Sequence, residues 1–128
     1  KFCQARLSVA TLDQVASAAL YNVGSSYFND VRDEYRRRRD TIYRKLCEIP
    51  GVVCKEPKGA FYVMAKLPVD DTDKFQTWLL TEFSDNNETV MYAPGNGFYA
   101  TPVRQNEVRL AYVLKCKDIA RAMGLQAL

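Results

Sequence analysis

The stretch Val52-Val53-Cys54-Lys55-Glu56-Pro57-Lys58-Gly59-Ala60-Phe61-Tyr62-Val63-Met64 decides the fold class. Two short apolar runs, Val52 to Cys54 and Ala60 to Met64, flank Pro57-Lys58-Gly59, and such runs about a Pro/Gly turn predict a β-hairpin. Just before them, Pro50-Gly51 ends a pattern of a different period. Phe28, Val31, Tyr35, Ile42 and Leu46 share one helical stripe with a charged opposite face, which predicts a long helix that stops at Pro50-Gly51. The change from a helical to an extended period within one chain points to a mixed helix and sheet fold.

Working outward, Thr11 and Gln14 have the form of a capping box, and Val15, Ala18, Ala19 and Val23 recur at helical spacing. They predict a helix from about residue 11 to residue 23, interrupted by Gly24-Ser25-Ser26. On the other side, Asp70-Asp71-Thr72-Asp73 places acids and a cap where a helix dipole favours them. Phe75, Trp78, Leu79 and Phe83 follow at i, i+3, i+4 and i+8, so a helix is expected over 72–83. Thr89 to Ala93 predicts a third strand, Pro94-Gly95-Asn96-Gly97 a turn, and Val108 to Leu114 a fourth strand with apolar residues on both faces. Lys115 to Leu128 closes the chain as a helix through Ile119, Ala122 and Met123. The resulting order predicts an α+β fold, with helices packed on a small, mainly antiparallel sheet, in a single domain over residues 1–128. Lys1 to Ala10 follows no clear period and reads as the remnant of a longer link.

Composition narrows the function. A chain of 128 residues with 48% hydrophobic and 26% charged residues builds one ordinary core and is not disordered. The net charge of +3 does not by itself argue for nucleic acid or an anionic membrane. No apolar run approaches the ~20 residues of a membrane helix, and Lys1-Phe2-Cys3-Gln4 does not begin a secretory signal, so a cytoplasmic location is expected. Cys3, Cys47, Cys54 and Cys116 lie far apart with no C-x-x-C pair, a spacing that suits neither zinc nor a disulfide framework. Reduced thiols and no metal site follow. The sequence contains no histidine, which removes His-dependent triads and the commonest general base.

Three features carry candidate chemistry. Arg36-Arg37-Arg38-Arg39 could form a phosphate-binding edge for RNA, but Asp30, Asp33, Glu34 and Asp40 stand close enough to pair with it, leaving a solvated helix face. Pro94-Gly95-Asn96-Gly97 could cradle an anion with backbone N–H groups, yet its spacing matches no phosphate loop, and a simple change of chain direction explains it as well. Arg109 lies inside a strand and needs a partner. Either it pairs with Glu107, two residues away on the same face, or its planar fork waits for a ligand carboxylate, which it can hold by both oxygens.

These residues resemble a family. Pro57-Lys58-Gly59-Ala60-Phe61-Tyr62 resembles the P-x-G-A-F-Y segment of class I aminotransferases, and Ala93-Pro94-Gly95-Asn96-Gly97-Phe98 their A-P-G-x-x-F segment. Glu107-Val108-Arg109-Leu110-Ala111-Tyr112 resembles the strand that bears their substrate arginine. The three occur in the family's order, after a long helix ending in Ile49-Pro50-Gly51-Val52, and Lys66-Leu67-Pro68-Val69-Asp70-Asp71 resembles the aspartate aminotransferase branch.

The resemblance implies the C-terminal small domain of a pyridoxal-phosphate-dependent enzyme that moves an amino group from an amino acid, with aspartate the one its branch suggests, to a 2-oxo acid. Arg109 would bind the substrate α-carboxylate, and Phe61 would lie near the substrate pocket. Small-domain movement would close the site. The longer protein is implied to be a homodimer, with no nucleic-acid or membrane partner. The family's Ser-x-x-Lys or Ser-x-Ser-Lys stretch, its aspartate for the pyridine nitrogen and its phosphate loop have no match here and precede the matching region. No cofactor-binding or catalytic residue is therefore expected in this chain, no bound cofactor, and no activity from it alone. Two other readings stay open: a stand-alone α+β module that binds a carboxylate metabolite through Arg109, and an RNA-binding module that uses the arginine run.

Overall fold

The computed structural model of the protein describes residues 8–101 and 104–126. Residues 1–7 of the expected link segment and the last two residues of the expected C-terminal helix lie outside them. The chain divides into two compact units, Lys1–Arg32 and Asp33–Leu128.

In the first unit, helix α1 (Thr11–Ser17) tightens into a 3-10 turn (Ala18–Asn22) before helix α2 (Ser25–Glu48) begins. The capping box does not form. Ala10 occupies the cap with an extended backbone, so Thr11 is already the first helical residue and its hydroxyl cannot cap. The Gln14 amide instead donates to the Val9 carbonyl at 2.8 Å. No residue of α1 or of the 3-10 turn is buried, and with so little apolar surface covered the helix ends sooner than its spacing suggested.

The second unit is an α+β layer of helices on a small antiparallel sheet. Strands β1 (Val53–Cys54), β2 (Tyr62–Lys66), β3 (Ala93–Pro94) and β4 (Glu107–Ala111) pair in the order β1-β2-β4-β3. Helix α3 (Thr72–Thr81) and helix α4 (Cys116–Gln126) complete it. β2 and β4 pair along their whole length, from Tyr62 opposite Ala111 to Lys66 opposite Glu107. The core gathers Ile42 and Leu46 of α2, Val63, Ala65 and Leu67, Leu79 of α3, Val108, Leu110 and Tyr112, and Ile119 and Met123 of α4.

The expected hairpin exists, with Val53 opposite Lys66, but β2 starts two residues late. Ala60 takes a left-handed φ of 61°, which no strand accommodates. The Tyr112 hydroxyl donates to the carbonyls of Gly59 and Ala60 at 3.1 and 2.9 Å, and the Tyr112 N–H donates to that of Phe61, so the bend is tied down by the far end of the sheet.

The fourth strand carries apolar residues on both faces, as expected, but only one of those faces is buried. Val108, Leu110 and Tyr112 are buried, while Arg109, Ala111 and Val113 are exposed. The third strand shrinks from the expected 89–93 to Ala93–Pro94 because the segment before it is bonded to α3 instead, its backbone to the Gln76 side chain and its Thr89 side chain to the helix backbone. The buried Gln76 amide accepts from the Tyr92 N–H at 2.7 Å and reaches the Val90 carbonyl at 3.5 Å, while the Thr89 hydroxyl donates to the Leu79 carbonyl. In α3 the expected cap is present, as the Asp71 carboxylate accepts from the N–H groups of Asp73 and Lys74 at 2.9 and 3.1 Å. Its stripe is rotated, however. Thr72, Gln76 and Leu79 are buried, while Trp78 stays 46% exposed and stacks on Phe75.

Cys47, Cys54 and Cys116 carry free thiols. Cys47 is exposed, whereas burial pushes the Cys54 thiol up to about 11, which at pH 8 leaves roughly one molecule in a thousand as the reactive thiolate. Iodoacetamide at pH 8 is therefore expected to alkylate Cys47 at least about tenfold faster than Cys54, read by peptide mass spectrometry. Equal rates would contradict the packing of β1.

Candidate functional site

The open face of the sheet follows from the alternation of β2 and β4. Tyr62, Met64 and Lys66 stand opposite Ala111, Arg109 and Glu107, and Ala93 of β3 flanks Arg109 on the other side. Arg109 is exposed on this face, and its side chain makes no ion pair or hydrogen bond with any described residue. Its guanidinium carbon lies 4.8 Å from the centre of the Phe98 ring and 5.5 Å from that of Tyr62. Two aromatic faces at these distances attract the cation and limit its rotation without consuming its N–H donors. Phe61 is 56% exposed and meets Tyr62 edge-on at 5.9 Å between ring centres. The two residues expected at a site, Arg109 and Phe61, thus stand on one cluster, linked through Tyr62.

Glu107 does not take Arg109 as its partner. One of its carboxylate oxygens accepts from the Tyr99 hydroxyl and the other from Arg104 at 3.3 Å. The Arg104 guanidinium lies over the Tyr99 ring at 5.3 Å. The hydrogen bond to Glu107 holds the Tyr99 hydroxyl above its ordinary pKa, because a neutral phenol is the better donor to a carboxylate.

Pro94-Gly95-Asn96-Gly97 forms the end of β3 and a 3-10 turn (Gly95–Phe98). Gly95 is buried against β4, where a Cβ would fall 2.6 Å from the Glu107 carbonyl oxygen, so glycine is needed for close backbone approach. Asn96 donates to the Asp73 carboxylate at 2.6 Å and ties the turn to the start of α3. The turn hands Phe98 to Arg109 and Tyr99 to Glu107.

The arginine run is occupied by neighbouring acids. Arg36 pairs with Asp33 at 3.4 Å, Arg37 and Arg38 both grip Glu34 at 2.8 and 2.7 Å, and Arg39 pairs with Asp40 at 2.6 Å. Hydrogen bonds from Arg37 and Arg38 hold the Glu34 carboxyl below its usual range. Arg38 also donates to the Val113 carbonyl and lies over the Tyr35 ring, which makes it part of the helix packing rather than an open basic edge.

Phe98, Tyr62, Tyr99 and Arg104 were not singled out from the sequence as site residues. Tyr62 stands diagonally beside Arg109 through the pairing of β2 with β4, two strands distant in the chain, and the sequence pattern of neither sets that register. Phe98 closes the A-P-G-x-x-F segment but carries no periodic signal of its own. The 3-10 turn that delivers it has no signature beyond its glycines.

Solved structures share this arrangement of helices and sheet. The alanine aminotransferase of Pyrococcus furiosus superposes with a TM-score of 0.74 at 26% identity, covering 98% of this chain and 31% of that one. The kynurenine aminotransferase of Pyrococcus horikoshii does so with a TM-score of 0.73 at 26% identity, covering 89% of this chain and 28% of that one. The fold is thus one found within aminotransferases. Residues 4–124 match the family Aminotransferase class I and II, and the chain belongs to that family. It is 36% identical over 109 residues to the aspartate aminotransferase of Bacillus subtilis, covering 80% of this chain and 25% of that protein. It is 36% identical over 88 residues to the LL-diaminopimelate aminotransferase of Oleidesulfovibrio alaskensis, covering 68% of this chain and 21% of that protein. The chain therefore spans about a quarter of the length of the curated relatives it matches.

Proposed function

We propose that this chain is the C-terminal small domain of a longer aminotransferase, in which Arg109 holds the α-carboxylate of the amino-acid substrate and Phe61 stands near the substrate pocket. The observation that carries the reading is the Arg109 guanidinium itself. It is exposed, flanked by Phe98 and Tyr62, and unpaired among the described residues. A planar fork in that state matches a carboxylate in two parallel hydrogen bonds and fixes the direction of the bound molecule, so the bond to be broken points one way. The rings add apolar surface beside the charge, which excludes water from the ion pair and strengthens it.

Amino-group transfer from an amino acid to a 2-oxo acid is the reaction we assign to the longer protein. The relatives are named for aspartate and for LL-diaminopimelate. Every amino acid and 2-oxo acid brings the carboxylate that Arg109 would take, and aspartate is the substrate we favour. Pyridoxal phosphate, the family's cofactor, supplies when bound the electron sink that makes such transfer possible. The open face does not fit that group on its own. Its ladder positions carry one amine, Lys66, which lies opposite Glu107 rather than Arg109, so the cofactor would be held by the rest of the longer protein. The part assigned to this chain is to bind, orient and shield the substrate.

Family resemblance also supports a cytoplasmic homodimer. Among the described residues, no helix is long and apolar enough to cross a membrane.

The test is direct. Full-length protein loaded with pyridoxal phosphate is expected to convert aspartate and a 2-oxo acid acceptor to oxaloacetate and the new amino acid. The purified 128-residue chain, given the same mixture, is expected to show no single-turnover transamination. Turnover by the chain alone would overturn the division of labour proposed for it.

A further inference from the structure

Arg109 and Glu107 occupy alternate positions of one strand, and alternate residues project from the same face about 6.6 Å apart. Oppositely charged long side chains at that spacing meet readily, and an ion pair between them would fill the fork that a ligand needs. In this structure Glu107 is engaged elsewhere at both oxygens. Tyr99 donates to one and Arg104 to the other, and Arg104 lies over the Tyr99 ring, so the three side chains close a ring of contacts. Glu107 is the more enclosed member of its pair, with 19% of its side chain exposed against 57% for Arg104. The backbone explains how both charges are served. Gly95 lets the turn settle on the Glu107 main chain, and consecutive residues then diverge, Phe98 to the guanidinium and Tyr99 to the carboxylate.

We propose that Tyr99 and Arg104 are positioning residues that hold the Glu107 carboxylate away from Arg109 and so keep its guanidinium open for a ligand carboxylate. The inference rests on the reading of Arg109 as the carboxylate anchor and deepens it. The two act through Glu107 and touch no substrate. Their effect is on the competition for one cation. With both donors in place, Glu107 has each oxygen satisfied and gains little by turning to Arg109. With both removed, a carboxylate tethered to the same strand faces Arg109 at a high effective concentration and competes with any ligand in solution. Lys66 stands opposite Glu107 across the ladder, and the structure shows no ion pair between the two.

The experiment uses the full-length protein loaded with cofactor, and the probe is propionate, a carboxylate with no amino group to transfer. Its dissociation constant is read from the cofactor's visible absorbance, with KM and kcat for the amino acid measured in parallel. The double variant Tyr99→Phe/Arg104→Gln is expected to weaken propionate binding and raise KM about tenfold, with kcat within about twofold of the parent. Adding Glu107→Gln to that variant is expected to restore both constants to within about twofold, because a neutral amide does not compete for the guanidinium. A loss that Glu107→Gln fails to rescue would mean the two residues merely shape the fold, and an unchanged propionate constant in the double variant would mean they do not guard Arg109. Either overturns the inference.

A second variant covers the case in which the double one does not fold. Glu107→Gln alone leaves affinity within about twofold if Glu107 is already held away, whereas a gain of fivefold or more would show that Glu107 occupies Arg109 in solution and would overturn the inference. Arg109→Lys separates this inference from the reading beneath it. If that change leaves propionate binding intact, the anchor assignment itself fails. If it abolishes binding while Tyr99→Phe/Arg104→Gln does not weaken it, the anchor stands and only the positioning role is lost.

Discussion

Arg109→Lys in the full-length protein is expected to lower kcat/KM for the amino acid by about a hundredfold, equivalent to about 2.7 kcal/mol of transition-state stabilisation. The charge is retained in this variant, so the loss measures geometry. Lysine offers a single ammonium on a flexible stem and cannot hold two carboxylate oxygens in one plane. It also forfeits the contacts of the guanidinium with the Phe98 and Tyr62 rings, at 4.8 and 5.5 Å in the structure. Most of the effect should fall on KM if the carboxylate is held equally in ground and transition states, and on kcat if its direction is what matters. A loss below about threefold, measured by steady-state kinetics at several substrate concentrations, would show that the carboxylate is anchored elsewhere.

The second large effect concerns stability. Leu46 is completely buried where α2 meets the sheet, and Leu46→Ala is expected to cost about 3 kcal/mol, lowering Tm by on the order of 10 °C. The penalty combines the lost transfer of the side chain with the cavity left behind. Ile42 and Tyr112, which belong to the same core, are themselves at most 3% exposed and have little freedom to close the gap. A thermal melt followed by circular dichroism would measure it. A shift under about 2 °C would mean that α2 is not seated on the sheet as described.

The reach of the sequence can be judged from particular elements. The stripe Ile42–Leu46 and the stop at Pro50-Gly51 were legible because a helix repeats its buried positions at a fixed spacing, and Gly51 indeed takes a left-handed φ of 81° there. The alternation of Val108, Leu110 and Tyr112 was legible for the same kind of reason. What stayed hidden was decided by contacts between residues distant in the chain. Nothing near Thr89 announces that the Gln76 amide will take its neighbours' backbone and shorten a strand. Nothing near Thr11 says that Ala10 will sit at the cap.

The site divides in the same way. Arg109 stood out because a charge inside a strand is costly without a partner, and Phe61 through its segment's likeness to a family motif. The choice between Glu107 and a ligand as that partner depended on Tyr99 and Arg104, whose donor roles arise from a 3-10 turn and a loop that no periodicity describes.

The two outermost strands, Val53–Cys54 and Ala93–Pro94, are only two residues long, and one of them contains a proline. A sheet recruits a further strand through a row of unpaired N–H and C=O groups at its rim. Here that row is brief on both sides and partly without donors, since proline has no N–H to offer. Each outer strand therefore offers a neighbouring molecule a template of at most two residues for strand addition. The two outer strands are thereby guarded against edge-to-edge aggregation by their own shortness, while most of the pairing that organises Arg109 lies in the two long central strands.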